Sequence, residues 1–314
     1  MNTIVYAGGR FAPSASAGIS VFDHGLLYGD GVFEGIRAYN GRVFKLERHI
    51  ERLFDSAKAI RLEIPASRDE VADLVLETCR RNDLGAADGY VRLVVTRGAG
   101  DLGIDPRSCL RPEIIVIARP VGALYGQKSR QGVALVTSAF RRPAPDVLSP
   151  SIKSLNYLNN VLARIEATDR GADEALLLDQ HGSVAEATAD NLFIVVDRTL
   201  MTPPTATTLR GITRETVLDL AADLGIRTEE RPFTMFDVWT AREAFMCGTM
   251  AEIVPVVTVD GRGIGSGAGS AAAGGPGPMT SRIAAAYDRL VRSTGTPIQR
   301  TALATSEAAA GATP

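Results

Sequence analysis

The chain has 314 residues, of which 45% are hydrophobic and 22% are charged, and its formal net charge is −2. This length is sufficient for two domains with buried cores, and the near-neutral charge argues against a nucleic acid or an anionic membrane as a partner. No apolar run of about 18 residues is present, so no transmembrane helix is expected. Three scattered cysteines without a CxxC pair and only three histidines argue against disulfides and metal sites and favour a cytoplasmic protein.

The first 40 residues contain a predicted hairpin and a glycine-rich stretch. Residues 3–6 are expected to form a short strand that runs into the turn signal Gly8-Gly9. Residues 21–39 carry glycines at positions 25, 29, 31 and 35 between aromatic side chains. Glycine at this density favours turns and close backbone approach over a regular element, although a glycine-rich hairpin is an alternative.

Residues 42–118 complete a predicted first domain of strands and helices. Strands are expected at residues 42–45 and 113–118, and an amphipathic helix at residues 68–82. Between them, apolar side chains at helical spacing predict a second helix. Its buried stripe consists of Leu46, Ile50, Leu53, Ala57 and Ile60.

Two pairs of polar side chains belong to these elements. His49 and Arg52 are three residues apart on one face of the predicted helix, where an arginine can also extend into solvent. Residues 90–96 form a predicted strand rich in β-branched side chains. Because side chains alternate along a strand, Tyr90 and Arg92 should point to the same side. Taken alone, both pairs are also compatible with a solvated surface.

The chain is expected to divide into a small N-terminal domain, residues 1–118, and a large C-terminal domain, residues 133–297. The connection between them, residues 119–132, contains proline and glycine. Residues 263–278 are so rich in glycine and alanine that a flexible insertion is expected. The tail, residues 298–314, has low complexity and is predicted to be disordered.

The large domain contains both predicted strands and predicted helices. The strands are residues 133–138, 174–179, 191–196 and 244–247, and the helices are residues 155–170, 214–224 and 281–291. We expect the second and third of these strands to pair across the turn His181-Gly182. The helical periodicity of the first helix rests on Leu158, Val161, Leu162 and Ile165.

Lys153 and Glu186 are the first candidates for chemistry. Lys153 follows a proline-rich loop and precedes a helix, and Glu186 lies in a small-residue turn that opens an apolar strand. An amine that attacks a carbonyl needs a site that favours its neutral form, and a carboxylate can pair with a protonated ring nitrogen. A protein contributes these two groups to pyridoxal phosphate chemistry. Alone, the pair also fits a solvated lysine beside a turn.

Two further segments are suited to binding anions. Residues 208–213 lead into a predicted helix, and a helix N-terminus offers free N–H groups and a partial positive charge. The glycine of Gly248-Thr249-Met250-Ala251-Glu252 permits a tight turn whose N–H groups can converge on an anion. Every helix has an N-terminus, so the first of these signals is weak by itself.

In their residues and in their order along the chain, these segments resemble the branched-chain aminotransferase family of fold-type IV pyridoxal phosphate enzymes. The resemblance rests on residues 21–45, 49–53, 90–92, 151–160, 184–193, 211–213 and 248–252. It implies an α/β (α+β) fold of the D-amino acid aminotransferase type, with two domains and the cofactor between them. It also implies a homodimer, because the neighbouring subunit contributes to the substrate pocket in that family.

The resemblance also implies roles for individual residues. Lys153 would bind pyridoxal 5′-phosphate covalently and move the proton during catalysis, while Glu186 would keep the ring nitrogen protonated. Tyr157 would contact the ring oxygen, although relatives differ in the spacing from lysine to tyrosine. The phosphate would be held by Arg52, Ile212, Thr213 and Thr249. The substrate pocket would comprise Tyr28, Phe33, Gly35, Tyr90, Arg92, Met250 and Ala251.

The function implied is transamination of Leu, Ile and Val with 2-oxoglutarate or glutamate. A D-amino acid or (R)-amine aminotransferase of the same fold type is the alternative. Those relatives bind a carboxylate with an arginine and a histidine after an Arg-Gly pair, and residues 99–103 after Arg97-Gly98 contain neither. A related lyase acting on aminodeoxychorismate and a non-catalytic binding protein of this fold are further alternatives. The simultaneous presence of Lys153, Glu186 and Arg52 argues against the non-catalytic one.

Overall fold

A computed structural model describes residues 3–265 and 275–299 of the chain. These residues form two compact units. The first contains residues 3–54, 62–122 and 291–299, and the second contains residues 55–61 and the described part of 123–290. Each unit is therefore built from segments that are not contiguous in sequence. The predicted domain boundaries at residues 118 and 133 stay a prediction.

The helices and strands follow one another in a mixed order. From the N-terminus to residue 120 they are β1 (Ile4–Ala7), β2 (Arg10–Pro13), α1 (His24–Tyr28), β3 (Gly31–Tyr39), β4 (Arg42–Val43), α2 (Leu46–Ala59), α3 (Arg68–Arg81), β5 (Gly89–Thr96) and β6 (Glu113–Pro120). The next group is α4 (Lys128–Gln131), β7 (Val133–Arg141), α5 (Pro145–Leu148), α6 (Leu158–Asp169), β8 (Glu174–Leu178), β9 (Val184–Ala187), β10 (Asn191–Val196) and β11 (Thr199–Thr202). The last group is α7 (Ile212–Asp223), β12 (Thr228–Glu230), α8 (Met235–Thr240), β13 (Glu243–Gly248), β14 (Glu252–Val259), β15 (Arg262–Gly263), α9 (Pro278–Ser293) and β16 (Thr296–Pro297).

The first unit is built on a sheet with the order β16-β4-β3-β5-β6-β1-β2. Its neighbouring strands pair antiparallel throughout the described residues. The predicted hairpin at Gly8-Gly9 joins β1 to β2, and both glycines have positive φ, a conformation that glycine adopts without strain. The predicted stripe of α2 is buried at Leu46, Ile50, Leu53 and Ala57.

The prediction of turns for residues 21–39 is wrong for their second half. Residues 31–39 form β3, a fully buried strand that pairs with β5 over eight residues from Gly31 to Ala38. A Cβ atom on Gly35 would lie 2.1 Å from the hydroxyl oxygen of Tyr90. This glycine therefore makes room for an aromatic ring from the adjacent strand, which is a known role of glycine inside strands.

The second unit is built on a sheet with the order β12-β11-β10-β13-β14-β7-β8-β9, and β15 pairs with β14 at the side. β7 runs parallel to β8 and β14, whereas β13 and β14 form an antiparallel hairpin. One of its core clusters draws on both the central strands and α8, with Leu176, Leu192, Met246 and Val254 fully buried.

The predicted pairing across His181-Gly182 is also wrong. This turn joins β8 to β9, so the strand at residues 174–178 pairs with residues 184–187. Residues 191–196 pair with β11 and β13 instead. Glu186 consequently lies on a strand and not in a turn. The reason is local, because the glycine at position 182 has a φ of +82° and reverses the chain at once.

Helix α6 begins three residues later than expected and turns its apolar stripe outward. Ala163 and Ala167 pack into a small core cluster with residues of β7 and β8. In the single chain, Leu158 is 69% exposed and Ile165 is 51% exposed, and Val161 and Leu162 are exposed as well. Helix α7, in contrast, begins two residues earlier than expected, at Ile212. Of the glycine-rich insertion, residues 266–274 lie outside the described residues, as do residues 300–314 of the tail.

Candidate active site

Lys153 and Tyr157 approach each other between α5 and α6. The Lys153 Nζ atom is 3.4 Å from the Tyr157 hydroxyl and 5.8 Å from the centroid of its ring. The backbone N–H of Lys153 donates to the Ser56 hydroxyl at 3.2 Å, which fixes the loop near the lysine. Tyr157 occupies the N-cap position of α6. The amine and the phenol, which sequence reasoning assigned to one site, are thus neighbours.

Glu186 lies on β9 and is only 5% exposed. One carboxylate oxygen is 2.7 Å from a guanidinium nitrogen of Arg142. The other accepts hydrogen bonds from the Asn191 side-chain amide and the Leu209 backbone N–H, each at 3.1 Å. Burial raises the pKa of Glu186, and Arg142 and the Leu209 N–H oppose this increase. The positive charge of Lys153 acts in the same direction as Arg142.

Arg142 is a residue that sequence reasoning missed. Its side chain is 10% exposed and lies between Glu186 and Asn160, whose side-chain oxygen accepts a hydrogen bond at 3.1 Å. The Asn160 amide in turn donates to the Thr188 carbonyl oxygen. The adjacent Arg141 donates to the carbonyl oxygens of Ser138 and Ala139 instead. Nothing in the Arg-Arg sequence distinguishes the two, because the path of the backbone at the end of β7 decides which one contacts Glu186.

Two more carboxylates are buried near this site. Glu174 accepts hydrogen bonds from the Thr188 hydroxyl at 2.7 Å and from Arg164 at 2.9 Å. Asp190 is 6% exposed and has no ion pair among the described residues. Burial, reinforced by the charge of Glu174, raises the pKa of Asp190 to about 7. Asp190 is therefore a second buried titratable group that sequence reasoning did not identify.

The N-terminus of α7 is suited to an anion. Gly211 is the N-cap residue, and no side chain caps the first turn. The backbone N–H groups of Ile212 and Thr213 therefore have no partner within the helix, since the first four N–H groups of any helix lack one. A Cβ atom on Gly211 would lie 2.0 Å from the Asn191 side-chain oxygen. The glycine allows Asn191, which also binds Glu186, to lie directly against this helix end.

The predicted turn at residues 248–252 is present as the hairpin between β13 and β14. Gly248 pairs with Glu252, and Thr249, Met250 and Ala251 form the loop between them. A Cβ atom on Gly248 would lie 1.8 Å from an Asp190 carboxylate oxygen. Glycine is thus required here by the close approach of Asp190. The structure brings this turn beside the same buried carboxylate that responds to the charge of Lys153.

Within the first unit, the predicted substrate residues of β3 and β5 share a face. The Arg92 guanidinium lies 4.6 Å from the ring centroid of Phe33 and 5.6 Å from that of Tyr90. The alternating burial of β5 gives Tyr90 and Arg92 the same partly exposed side. This confirms that the two residues lie on one face, and their role toward a substrate stays a prediction. Gly35 opens the space that the Tyr90 ring occupies.

Tyr28 and Arg52 belong to two other polar networks of the first unit. The Tyr28 hydroxyl donates to the Leu102 carbonyl oxygen. Arg52 donates to both carboxylate oxygens of Glu34, each at 2.7 Å, and His49 lies 2.8 Å from the second of them. Burial would raise the pKa of Glu34, but Arg52 and His49 overcome this effect and lower it to about 2.

The described residues were also compared with the requirements of a metal site and of a membrane-spanning helix. Across residues 3–265 and 275–299, no group of three or more histidine, cysteine or acidic side chains is arranged to hold a metal ion. The helices in these ranges also lack the length and apolar character needed to cross a membrane.

Comparisons with known proteins agree with one another. The family model for amino-transferase class IV matches residues 31–259. A protein of Methanocaldococcus jannaschii is 54% identical over 261 residues, which cover 83% of this chain and 89% of that protein. The branched-chain-amino-acid aminotransferase of Pseudomonas aeruginosa is 39% identical, with 92% of both proteins covered. The Escherichia coli (strain K12) protein of that name is 36% identical, with 90% of this chain and 91% of that protein covered.

Solved structures show the same similarity. The branched-chain aminotransferase of Thermoproteus uzoniensis with norvaline has a TM-score of 0.85 and 38% identity, covering 92% of this chain and 95% of that chain. The branched-chain amino acid aminotransferase of Thermobaculum terrenum in its PLP-form has a TM-score of 0.84 and 30% identity, covering 95% and 99% of the two chains. The Escherichia coli branched-chain amino acid aminotransferase has a TM-score of 0.87 and 34% identity, covering 96% and 97% of the two chains. The expected fold class is confirmed by these similarities.

Proposed function

Since the chain belongs to the class IV aminotransferase family, we propose that it is a pyridoxal 5′-phosphate-dependent aminotransferase of Leu, Ile and Val. Glutamate and 2-oxoglutarate form the second substrate pair. The observation that carries this proposal is the placement of Lys153 beside Tyr157 in the same unit as the buried carboxylate Glu186. The names of the relatives from Pseudomonas aeruginosa and Escherichia coli support the branched-chain substrates over D-amino acids.

The residues present fit the proposed cofactor. Pyridoxal 5′-phosphate requires an amine for its aldehyde, an acidic partner for its ring nitrogen and a site for its phosphate. Lys153 provides the amine, and Glu186 provides a carboxylate that is already paired with a cation. The uncapped N-terminus of α7 provides backbone N–H groups, the donors that bind phosphate at helix ends.

When bound, the cofactor supplies an aldehyde and a ring that accepts electrons from the substrate α-carbon. Lys153 would hold the cofactor aldehyde through its Nζ atom and would supply the amine that moves the proton at the substrate α-carbon. Glu186 would hold the proton on the ring nitrogen. Tyr157, which lies beside Lys153, would donate a hydrogen bond to the ring oxygen. A general base contributes about 10²–10⁴-fold to the rate of such a proton transfer.

The phosphate is assigned to Arg52, Ile212, Thr213 and Thr249. Ile212 and Thr213 contribute the first N–H groups of α7, and Thr249 lies in the hairpin that starts at Gly248. Glu34 holds two nitrogens of Arg52, so this arginine is oriented by a buried carboxylate within its own unit. A planar guanidinium is well suited to phosphate because its donors form a rigid fork.

The substrate is assigned to Tyr28, Phe33, Gly35, Tyr90, Arg92, Met250 and Ala251. Tyr90 is proposed to contact the α-carboxylate, which both substrates share, and Arg92 the side-chain carboxylate of glutamate. The stacking of Arg92 between Phe33 and Tyr90 supports this division, because the same face offers both apolar surface and a cation. Replacing Arg92 with Met should lower kcat/KM for glutamate about ten- to hundredfold and change kcat/KM for leucine by no more than a few-fold. The exposed Arg10, replaced in the same way, is the control.

A homodimer in the cytoplasm completes the proposal. The four exposed apolar side chains of α6 form a face that a second copy of the chain would cover, since monomeric proteins rarely expose large apolar patches. An Ile165→Asp variant that sediments as a monomer would support this interface. The three cysteines are free thiols, and Cys79 and Cys247 are buried, which is consistent with a reducing compartment.

The deciding experiment follows the cofactor absorbance of the holoenzyme after mixing with L-Leu, L-Glu, D-Ala or an (R)-amine. Conversion by L-Leu and L-Glu, without conversion by the other two, is the expected result. Conversion only by D-Ala or the amine would contradict the branched-chain assignment. Borohydride reduction should fix the cofactor mass on Lys153, and Lys153→Ala should abolish it while the exposed Lys58→Ala does not.

A further inference from the structure

The buried guanidinium of Arg142 is the feature of this site that the proposed function leaves without a role. Arg142 directly follows Arg141, the last residue of β7. One of its nitrogens is 2.7 Å from a Glu186 oxygen, and another donates to Asn160 at 3.1 Å. Its Nε atom is buried and has no hydrogen-bond partner among the described residues. A buried arginine held in this way has a defined orientation and a high desolvation cost.

The chemistry of Glu186 explains why such a cation is useful. A carboxylate can keep a ring nitrogen protonated only while it is itself ionised, because a protonated carboxyl has no negative charge to offer. Burial alone favours the neutral acid, as it does at Asp190 nearby. An ion pair with a permanently charged guanidinium favours the anion. Arg142 contacts one carboxylate oxygen only, so the second oxygen remains directed toward Asn191 and Leu209.

We infer that Arg142 is a positioning residue of the aminotransferase reaction, which keeps Glu186 ionised and oriented toward the cofactor ring nitrogen. Asn160 holds Arg142 in place from α6 through its side-chain oxygen. The charged and titratable groups that act on Glu186 are Arg142, Lys153 and Asp190. Arg142 differs from the other two because it keeps its charge at every pH at which the protein is folded.

This inference rests on the proposed function, and its test uses a readout that turnover does not provide. The holoenzyme is prepared with pyridoxal 5′-phosphate labelled with nitrogen-15 in the ring, and its NMR resonance is followed against pH. Wild type, Arg142→Met, Arg142→Lys and Arg141→Met are compared. Arg141 is the matched control because its guanidinium donates to carbonyl oxygens at the end of β7.

In Arg142→Met, the ring nitrogen should lose its proton at a pH lower by about one unit or more, a tenfold or larger change in the protonation equilibrium. Its kcat should fall about a hundredfold, whereas KM changes little. Arg142→Lys should titrate between Arg142→Met and wild type. It keeps the positive charge but cannot contact Glu186 and Asn160 at once with a planar guanidinium. Arg141→Met should titrate like wild type.

An unchanged nitrogen titration in Arg142→Met would overturn the inference, even if turnover and thermal stability both fell. Should that variant fail to fold, Asn160→Ala decides in its place. A shift in the same direction supports the inference, and an unmoved titration refutes it. If the wild-type protein binds no cofactor or converts no amino donor, it is the proposed function that fails. The titration of the Arg142 variants is therefore informative only after the wild-type half-reactions have been observed.

Discussion

Glu34 in the first unit and Asp190 in the second are both buried carboxylates, but their pKa values are shifted in opposite directions. Glu34 accepts hydrogen bonds from Arg52 and His49, and these two residues overcome the effect of burial and lower its pKa to about 2. Asp190 has no ion pair in the described part of the chain, and burial raises its pKa to about 7. Burial acts in the same direction on both groups. The number of cations within contact distance therefore decides whether a buried carboxyl is a permanent anion or a titrating acid.

Glu186 lies between these two extremes. It has one cationic contact, Arg142, and burial still raises its pKa above the ordinary value. The first unit thus uses a carboxylate as a fixed anchor for an arginine, whereas at Glu186 and Asp190 in the second unit burial outweighs the nearby cations and raises the pKa.

The largest expected effect comes from removing the charge of Glu186. Glu186→Gln should keep the cofactor but lose about three decades of kcat, or about 4 kcal/mol of barrier, because a neutral amide cannot hold a proton on the ring nitrogen. The exposed Glu63→Gln is the control for a charge change elsewhere. A Glu186→Gln rate within about threefold of wild type, under 1 kcal/mol, would assign the role to another residue.

Removing the charge of Glu34 should destabilise the first unit. Glu34→Gln leaves Arg52 and His49 without their shared anion, and breaking a buried pair in this way costs about 3–5 kcal/mol. Urea unfolding of the cofactor-free protein near neutral pH measures the loss. Glu63→Gln again serves as control, since an exposed carboxylate should contribute under about 0.5 kcal/mol. Equal stability of the two variants would show that the network adds no net stability.

The lowered pKa of Glu34 also predicts how the free energy of unfolding depends on pH. The pKa of Glu34 is lower in the folded protein, about 2, than its ordinary value of 4.5. A lowered folded-state pKa contributes stability above 4.5, and this contribution is lost as the pH falls from 4.5 toward 2. Its full size is about 3 kcal/mol. Wild type should therefore lose its advantage over Glu34→Gln as the solution is acidified, and a constant difference between them across this range would contradict the assignment.

Asp190 should show the opposite dependence. Its folded-state pKa, about 7, exceeds its ordinary value of 3.8, so the contribution of this group to stability is fully present below 3.8 and is lost as the pH rises through 7. Asp190→Asn removes this loss and should stabilise the protein above neutral pH by about 1–3 kcal/mol, part of the electrostatic cost being offset by relaxation. The exposed Asp169→Asn should have no such effect. A destabilised Asp190→Asn at alkaline pH would mean that the carboxylate is ionised and needed.

Local sequence patterns predicted much of the secondary structure. The stripe of α2, the shared face of Tyr90 and Arg92 and the hairpin at residues 248–252 all follow from spacing between near neighbours. The strand at residues 31–39 was not predicted, because its Gly35 makes room for Tyr90 on a different strand, and this contact cannot be seen in the local sequence. The exposed stripe of α6 has the same periodicity as the buried one of α2. Periodicity predicts that a helix forms, but whether its apolar stripe is buried depends on residues elsewhere in the chain.

The residues of the candidate site also fall into two groups, those that the sequence identified and those that only the structure showed. The sequence alone identified Lys153 and Glu186 and, through a family resemblance, the other proposed site residues, because such motifs are contiguous in the chain. The roles of these residues stay predictions. Only the tertiary structure placed Glu186 on β9 and showed Arg142 and Asp190 as its charged neighbours. The ionisation of a buried carboxyl depends on charges and solvent within a few ångströms, and distance in sequence does not determine distance in space.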